Sequence, residues 1–357
     1  MTKSSLTVFL IFCFAETIAG QAPEGYYNST AGLTGKALQE SLHDIIDGHT
    51  QLEYSTLWQC FSTTDIRSDG VTIWDIYSDI PGGTPAYTFT IFTKQCGTYQ
   101  KEGDCYNREH TFPKSWFNDA PPMSTDLFHI YPTDGWVNNK RGNMPYGETN
   151  SPSWTSTNGS MVGPCSVQDY TGNVFEPIDE YKGDLARTYF YVATRYYGED
   201  SQWPGSDMTT GAQPKPWALT MLLEWHRADA VSDRERDRNN EIYKYQGNRN
   251  PFIDNPLFAE KIWGTLNHVE KTAENQVSMT IYPNPAGNYL YVSISGYACS
   301  GTPLYIYDSG GCLVMTAMVE DHITTISTEG LASGIYFLSV ACEGQATAGA
   351  FVVTGRQ

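Results

Sequence analysis

Residues 106–117 form the stretch Tyr-Asn-Arg-Glu-His-Thr-Phe-Pro-Lys-Ser-Trp-Phe. Glu109 and His110 are neighbours in it, and neighbouring side chains of an extended segment point to opposite faces. One of the two can therefore bind a metal ion while the other transfers a proton. Residues 126–143 follow as Asp-Leu-Phe-His-Ile-Tyr-Pro-Thr-Asp-Gly-Trp-Val-Asn-Asn-Lys-Arg-Gly-Asn. We predict a strand, a loop, a second strand and a short helix that bring Glu109, His110 and Asn143 together.

This unit resembles the ββα-metal, or His-Me finger, site of the endonuclease I family of secreted bacterial nucleases. The resemblance extends over residues 25–263, because further motifs occur in the order that the family shows. They are Gly-Tyr-Tyr at 25–27, Gly-Leu-Thr-Gly at 32–35, Trp-Asp-Ile-Tyr-Ser-Asp at 74–79, Phe-Glu-Pro at 175–177, Lys-Gly-Asp-Leu-Ala-Arg at 182–187 and Gln-Gly-Asn-Arg-Asn-Pro-Phe-Ile-Asp at 246–254. The resemblance implies an α+β fold class with a ββα-metal nuclease domain.

The resemblance also implies roles for three residues. His110 is the expected general base, and Glu109 and Asn143 are the expected ligands of one divalent ion, Mg²⁺ first and Mn²⁺ or Ca²⁺ as alternatives. Many members of the family read Asp-Leu-His-Asn in the second strand, whereas this chain reads Asp-Leu-Phe-His at 126–129. The shift moves His129 to the other face of a strand, so we expect it to lie outside the metal's ligands.

Basic side chains near these motifs offer contacts to phosphate. Solvated surface charge is the ordinary role of such groups, and we favour Arg141 as the one that takes part in catalysis. The four candidates are Arg108, Lys114, Arg141 and Arg249.

The expected reaction is hydrolysis of a phosphodiester bond. An imidazole with an ordinary pKa of ~6.5 can accept a proton from water, and a hard cation can neutralise charge beside the phosphorus. The resemblance implies products that carry a 5′-phosphate. Each residue also has a structural interpretation: His110 bonded to a backbone carbonyl, Glu109 in an ion pair, and Asn143 in a turn.

The composition limits the kind of nucleic-acid partner. With 40 acidic and 22 basic residues the chain has a net charge of −18, the wrong sign for a protein that coats nucleic acid. Residues 94–143 differ, because they hold six basic and six acidic side chains. The balance disfavours a high-affinity binding module more than it disfavours an enzyme. It also favours solubility outside the cell.

The two ends of the chain predict export. Residues 1–20 combine Lys3, an apolar run over 6–15 and a small-residue exit, as a signal peptide does. We assign 21–263 to the catalytic domain, 264–277 to a linker and 278–357 to a small β-sandwich domain.

The last domain resembles the C-terminal sorting domain of the type IX secretion system. The resemblance lies in Tyr-Pro-Asn-Pro at 282–285, Tyr-Asp-Ser-Gly-Gly at 307–311 and Leu-Ala-Ser-Gly-Ile-Tyr at 331–336, with alternating strand patterns around them. It implies contact with the outer-membrane secretion machinery, followed by removal of the domain or attachment to the cell surface. A carbohydrate- or protein-binding module of similar topology is the alternative.

Eight cysteines fit an oxidising destination. Cys96 and Cys105 bracket the loop 97–104, and we predict that they pair, which leaves Cys60 for Cys165. No Cys-x-x-Cys pair or nearby histidine doublet favours zinc.

Periodicity places the remaining elements of the catalytic domain. Residues 144–174 predict loop with short strands at most, and 246–254 predict loop because Gly and Pro interrupt them. Alternation predicts strands over 71–77 and 87–93. Apolar spacing predicts helices over 34–47, 183–197, 216–228, 233–245 and 258–263.

We conclude from the sequence that the chain is a secreted or surface-attached, monomeric, metal-dependent endonuclease without strict specificity for DNA or RNA. The alternative is a surface-anchored nucleic-acid-binding protein or adhesin that does no catalysis.

Overall fold

The computed structural model describes residues 22–264, 278–295, 300–320, 323–342 and 345–354. It divides into two compact units, with the division after residue 267. The predicted signal peptide at 1–20 and residues 265–277 of the predicted linker lie outside the described residues. Within the described ranges, no helix combines the length and the apolar character that crossing a bilayer requires.

The helices of the first unit are held together by one large core of aromatic and aliphatic side chains. The bounds of five of these helices match the five predicted helices to within two residues. The helices of the first unit are α1 (Gly35–Ile46), α2 (Leu57–Thr64), α3 (Gly135–Arg141), α4 (Lys182–Arg195), α5 (Pro216–Ala228), α6 (Asp233–Gln246), α7 (Pro251–Asp254) and α8 (Leu257–Trp263).

The helix ends follow ordinary capping rules. α5 begins with a proline, which lacks the amide hydrogen that a first helical position leaves unpaired anyway. α6 begins with a capping box, in which Ser232 and Glu235 each bond the other's backbone amide. It ends at Gly247, whose left-handed φ of 78° suits a residue without a Cβ.

The central helix is α4, which is buried along almost its whole length. Its apolar residues pack against α1, α5 and α7. Its buried Arg187 donates to both carboxylate oxygens of Glu235 on α6, with Nη2 at 2.9 Å from Oε2. A polar group at this depth needs such partners, because burial without them is costly.

The hairpin that carries the proposed site is β1 (Tyr106–His110) paired with β2 (Ile130–Asp134). The pairing is antiparallel and sets Glu109 opposite Tyr131. α3 follows β2 without a loop, because the Asp134 side chain accepts from the Val137 amide and caps the helix. The predicted order of strand, loop, strand and helix is therefore observed.

Two short sheets accompany this hairpin. The first has the order β3 (Trp154–Thr155), β4 (Met161–Pro164), β5 (Asn173–Glu176), and the second pairs β6 (Thr209–Thr210) with β7 (Gln213–Pro214). The prediction of short strands at most for 144–174 agrees with the first sheet.

The strands predicted over 71–77 and 87–93 are wrong. The first segment turns at Asp75, whose carbonyl accepts from the amides of Ser78 and Asp79, and the second meets it only in the isolated bridge between Thr72 and Thr90. Phe92 has a φ of 62°, which ends any extended run there. Alternation alone did not reveal these turns.

The cysteines confirm one predicted pairing and correct the other. Cys96 and Cys105 form a disulfide with their Cα atoms 5.7 Å apart. Cys60 and Cys165 carry free thiols instead of pairing. Cys60 is buried on the core side of α2, whereas Cys165 follows β4 in a separate sheet. Burial raises the pKa of the Cys60 thiol to about 11, so it stays protonated and unreactive.

The second unit consists of two antiparallel sheets around one core of Leu, Ile, Val and Phe side chains. This β-rich unit agrees with the predicted sandwich. One sheet has the order β11-β10-β13-β14 and the other β12-β9-β8. The strands are β8 (Ser278–Tyr282), β9 (Tyr289–Ser295), β10 (Pro303–Asp308), β11 (Leu313–Met318), β12 (Ile323–Ser327), β13 (Gly334–Cys342) and β14 (Gln345–Val353).

The Arg187 ion pair generates a stability prediction. Arg187→Met leaves the Glu235 carboxylate buried without its partner, so the free energy of unfolding of the first unit should fall by about 3–5 kcal/mol. Urea denaturation followed by fluorescence measures it. Arg236→Gln is the matched control, because it removes one arginine from an exposed pair with Asp233 and should change stability by about 0.5 kcal/mol or less. Equal effects of the two substitutions would show that the buried pair between Arg187 and Glu235 does not stabilise the first unit.

Candidate active site

Glu109 lies on the face of β1 that α3 covers, and only 3 % of it is exposed. Its Oε1 accepts from the Tyr77 hydroxyl at 2.9 Å and from Arg141 Nη1 at 3.0 Å. Oε2 accepts no hydrogen bond from a described residue. Burial raises the pKa of the carboxyl to about 7, and Arg141 and Tyr77 oppose that rise. One oxygen is thus fixed and the other is available to a ligand.

Arg141, at the end of α3, holds the Glu109 carboxylate in place. Besides Glu109, it donates from Nη1 to the His110 carbonyl at 3.0 Å and from Nη2 to the Thr111 carbonyl at 2.7 Å. Its side chain is 1 % exposed. The structure therefore places Arg141, which the sequence suggested as a phosphate contact, against the protein's own backbone and carboxylate.

His110 points to the opposite side of β1, as the alternation of a strand requires. Its Nε2 lies 3.1 Å from the Ser124 carbonyl, and the centre of its ring lies 6.1 Å from that of the Tyr54 ring. A carbonyl oxygen can only accept a hydrogen bond, so Nε2 must be the nitrogen that carries the proton. Nδ1 is then the nitrogen that can accept a proton. Burial lowers the pKa of His110 well below its usual value, and His129 acts in the same direction. The imidazole is therefore neutral near pH 7.

His129 supports His110 from inside the core. It is fully buried, its Nε2 lies 2.7 Å from the Met123 carbonyl, and its ring is 5.4 Å from that of His110. It belongs to a 3-10 turn before β2, so the strand position expected for it is replaced by a turn. Burial lowers its pKa to about 4, with Asp126 opposing. It packs behind His110, away from Glu109.

Two asparagines of the α3 region differ in where they lie. Asn143, the expected ligand, follows the helix in a turn, is exposed, and makes no side-chain hydrogen bond to a described residue. Asn138 lies one turn before Arg141, so the two share a helix face. Its Nδ2 donates to Oδ1 of Asn107 at 2.8 Å, and Asn107 shares the strand face of Glu109. The structure thus places Asn138 on the same side of the hairpin as Glu109, through a contact with Asn107 that Asn143 lacks.

The remaining basic candidates separate into two groups. Arg249 is nearly buried and donates to both oxygens of Asp254, from Nε and Nη2 at 2.7 Å each. Arg108 and Lys114 lie at the surface beside Tyr54, on the His110 side of β1.

A second cluster of candidate metal ligands, His43, Asp47 and Glu199, lies at the surface at the end of α4. Arg195 already fills it, because its Nη1 is 2.8 Å from Asp47 and 2.7 Å from Glu199. A guanidinium in that position neutralises the two carboxylates. The cluster is therefore a salt-bridge network.

Sequence reasoning missed Tyr77, Asn138 and the Ser124 carbonyl. Tyr77 had a signal, because it belongs to the motif at 74–79 that supported the resemblance. Asn138 is one of two adjacent asparagines, and only the helix phase separates its face from that of Asn139. The carbonyl had no signal, since every residue has one.

The site fits a hard divalent cation. Carboxylate and amide oxygens are the ligands that Mg²⁺ and Ca²⁺ prefer, and water completes such shells. Glu109 Oε2 and Asn138 Oδ1 are two such oxygens without hydrogen bonds to described residues. Arg141 offsets the charge of Glu109, which predicts a modest affinity for the cation.

Comparison with known proteins identifies the families that the two parts of the chain match. The family description Endonuclease I matches residues 34–257, and the description Secretion system C-terminal sorting domain matches residues 280–354. The extracellular ribonuclease of Bacillus amyloliquefaciens is 36 % identical over 250 residues, covering 67 % of this chain and 78 % of that protein. The extracellular ribonuclease of Bacillus subtilis (strain 168) is 36 % identical over 248 residues, with the same coverage.

More distant relatives include an extracellular deoxyribonuclease of Aeromonas hydrophila, 27 % identical over 134 residues, or 37 % of this chain and 50 % of that protein. The predicted α+β fold, nuclease activity and secreted or surface-attached location are confirmed by these matches. The chain belongs to the endonuclease I family and carries a secretion system C-terminal sorting domain.

Proposed function

We propose that this protein is a metal-dependent endonuclease that hydrolyses DNA, RNA or both and leaves 5′-phosphate ends. The observation that carries the proposal is the division of β1 into two faces. Glu109 presents one oxygen on one face, and a neutral imidazole is held by a carbonyl on the other. The relatives named ribonuclease and deoxyribonuclease support both substrates. An adhesin would have no need of this pair.

His110 acts as the general base. Its Nδ1 accepts a proton from the attacking water, while the Ser124 carbonyl keeps the ring in one orientation. The bond that breaks joins phosphorus to the 3′ oxygen, so the phosphate stays on the 5′ carbon and the 3′ oxygen leaves as a hydroxyl that takes its proton from water. A divalent cation held by Glu109 and Asn138 would supply positive charge that offsets the charge of the phosphate. Arg141 acts as a positioning residue that holds Glu109.

We also propose that the nuclease is active as a monomer, since the proposed groups all come from one hairpin and its helix. The sorting domain would contact the outer-membrane secretion machinery, as the family it matches suggests.

His110→Ala should lower kcat by at least about a hundredfold, because the water loses its proton acceptor. Plasmid nicking and digestion of RNA measure it, and added imidazole should restore part of the rate. His43→Ala is the matched control, since His43 bonds the Thr194 and Arg195 carbonyls at the end of α4 instead of the hairpin. An unchanged kcat in His110→Ala would show that His110 is not the general base.

Metal removal should stop cleavage. EDTA should abolish activity while circular dichroism stays unchanged, since the fold is held by its own core, and Mg²⁺ or Mn²⁺ should restore activity. Glu109→Gln should need a higher metal concentration, because a carboxamide replaces the anionic oxygen. Full activity in chelator would show that the reaction needs no metal.

The two asparagines can be separated by paired substitutions. We propose Asn138 as the amide ligand, with Asn143 as the alternative that the sequence suggested. Asn138→Ala should raise the Mg²⁺ concentration for half-maximal activity by about tenfold or more, and Asn143→Ala should leave it within about twofold. Direct titration with Mn²⁺ gives a second measurement. A reversed order of the two effects would assign the ligand to Asn143.

A further inference from the structure

Arg108 differs from the other arginines of the described residues in having no anionic partner. A carboxylate oxygen lies within 4.0 Å of every other arginine in the ranges that the structure describes. For Arg108 no described carboxylate does. The protein carries nearly twice as many acidic as basic residues, so a lone guanidinium is against its general pattern.

The Arg108 side chain is nevertheless held in place. Its Nη1 donates to the Tyr54 carbonyl at 2.7 Å, and its guanidinium lies 3.6 Å from the centre of the Tyr54 ring and 4.5 Å from that of Trp58. Stacking on aromatic rings orients a guanidinium without consuming its hydrogen-bond donors. Nε and Nη2 make no hydrogen bond to a described residue. The group is therefore pre-oriented, with donors free for a ligand.

The position of Arg108 relates it to the reaction. It lies two residues before His110 on β1, so both side chains point to the same face about 6.8 Å apart along the strand. The Tyr54 ring lies beside both of them, and Lys114 Nζ lies 4.4 Å from the centre of the same ring. Lys114 is partly neutralised by Asp119, 2.9 Å away, so it contributes less positive charge than Arg108.

A cleft of about 440 Å³ adjoins this group. Its lining includes Tyr54, Trp58, Asn107 and Arg108, together with the Cys96 end of the disulfide loop. Asn107 is the residue that bonds Asn138, so the cleft continues from the Arg108 side of the hairpin towards the metal side. An extended polyanion lying across β1 would meet both.

A larger cleft of about 670 Å³ also contains several cations, and it competes as a phosphate site. Its four arginines are already paired: Arg67 with Asp79, both Arg234 and Arg238 with Asp65, and Arg249 with Asp254. A phosphate there would have to displace buried carboxylates, which Arg108 does not require.

We propose that Arg108, assisted by Lys114, binds a phosphate of the substrate one nucleotide away from the bond that is cleaved. Tyr54 serves as the positioning residue that holds both cations beside His110. The ligand class is a polynucleotide with at least two phosphates. Because of this contact, kcat/KM is higher for long substrates than for short ones. This inference rests on the proposed nuclease function.

The test compares wild type, Arg108→Gln, Arg108→Lys and Arg236→Gln on single-stranded oligonucleotides in Mg²⁺. The series runs from the shortest that wild type cleaves to a 12-mer. For Arg108→Gln, KM for the 12-mer should rise about tenfold while kcat stays within about threefold. The increase of kcat/KM with oligonucleotide length should disappear. The slope of log(kcat/KM) against log[salt] should become shallower by about 0.7.

Arg108→Lys should keep the salt slope of wild type, because it keeps the charge. Arg236→Gln removes an equal charge from an exposed surface and should behave as wild type. Two results would overturn the inference: Arg108→Gln indistinguishable from Arg236→Gln, or a fall in kcat with an unchanged salt slope, which would mean that Arg108 only supports Tyr54 and His110. If wild type cleaves neither the oligonucleotides nor plasmid DNA and long RNA, the proposed function itself is overturned; if it cleaves only the long substrates, the same comparison of variants is made on them.

Discussion

The buried ion pair between Arg141 and Glu109 is the interaction on which the rest of the site depends. It joins the last turn of α3 to β1, and the same guanidinium bonds the carbonyls of residues 110 and 111. A buried charge that lost its partner would destabilise the fold by several kcal/mol, so the two residues hold each other in the interior. The helix cannot shift along the hairpin without breaking three hydrogen bonds at once. The orientation of Glu109, and with it the proposed cation site, is set by this constraint.

The same hairpin separates two chemical environments that a single pocket could not supply. On one face, Glu109 keeps an anionic oxygen next to a guanidinium and two tyrosines. On the other, His110 is kept neutral by burial and by a second imidazole. If both groups shared one face, the carboxylate would raise the pKa of the imidazole, and less of the imidazole would be in the neutral form that accepts a proton. Because successive side chains of a strand point to opposite faces, the adjacent residues Glu109 and His110 are kept apart.

The sequence predicted the parts of this arrangement that periodicity and capping control. Helices α1, α4, α5 and α6, the hairpin order and the Cys96–Cys105 pairing all follow from local patterns. The predictions failed where long-range contacts decide. The segment at 71–77 alternates like a strand, yet it turns so that Tyr77 reaches Glu109, 32 residues later in the chain. Which asparagine and which arginine face the substrate is likewise a matter of helix phase and of distant carboxylates, and neither is visible in a short motif.

The distribution of cations explains how so acidic a protein can act on a polyanion. Nearly all described arginines are paired with carboxylates inside the domain, so their charge serves to hold helices and loops together. On the proposed function, the attraction for nucleic acid is concentrated in a few groups around His110 and the proposed cation site. A surface that is negative elsewhere repels the product once its bond is broken and few contacts remain. Few attractive contacts outside the proposed site would favour release of the product and repeated turnover on long substrates, whereas a chain that bound DNA along a broad basic surface would release its products more slowly.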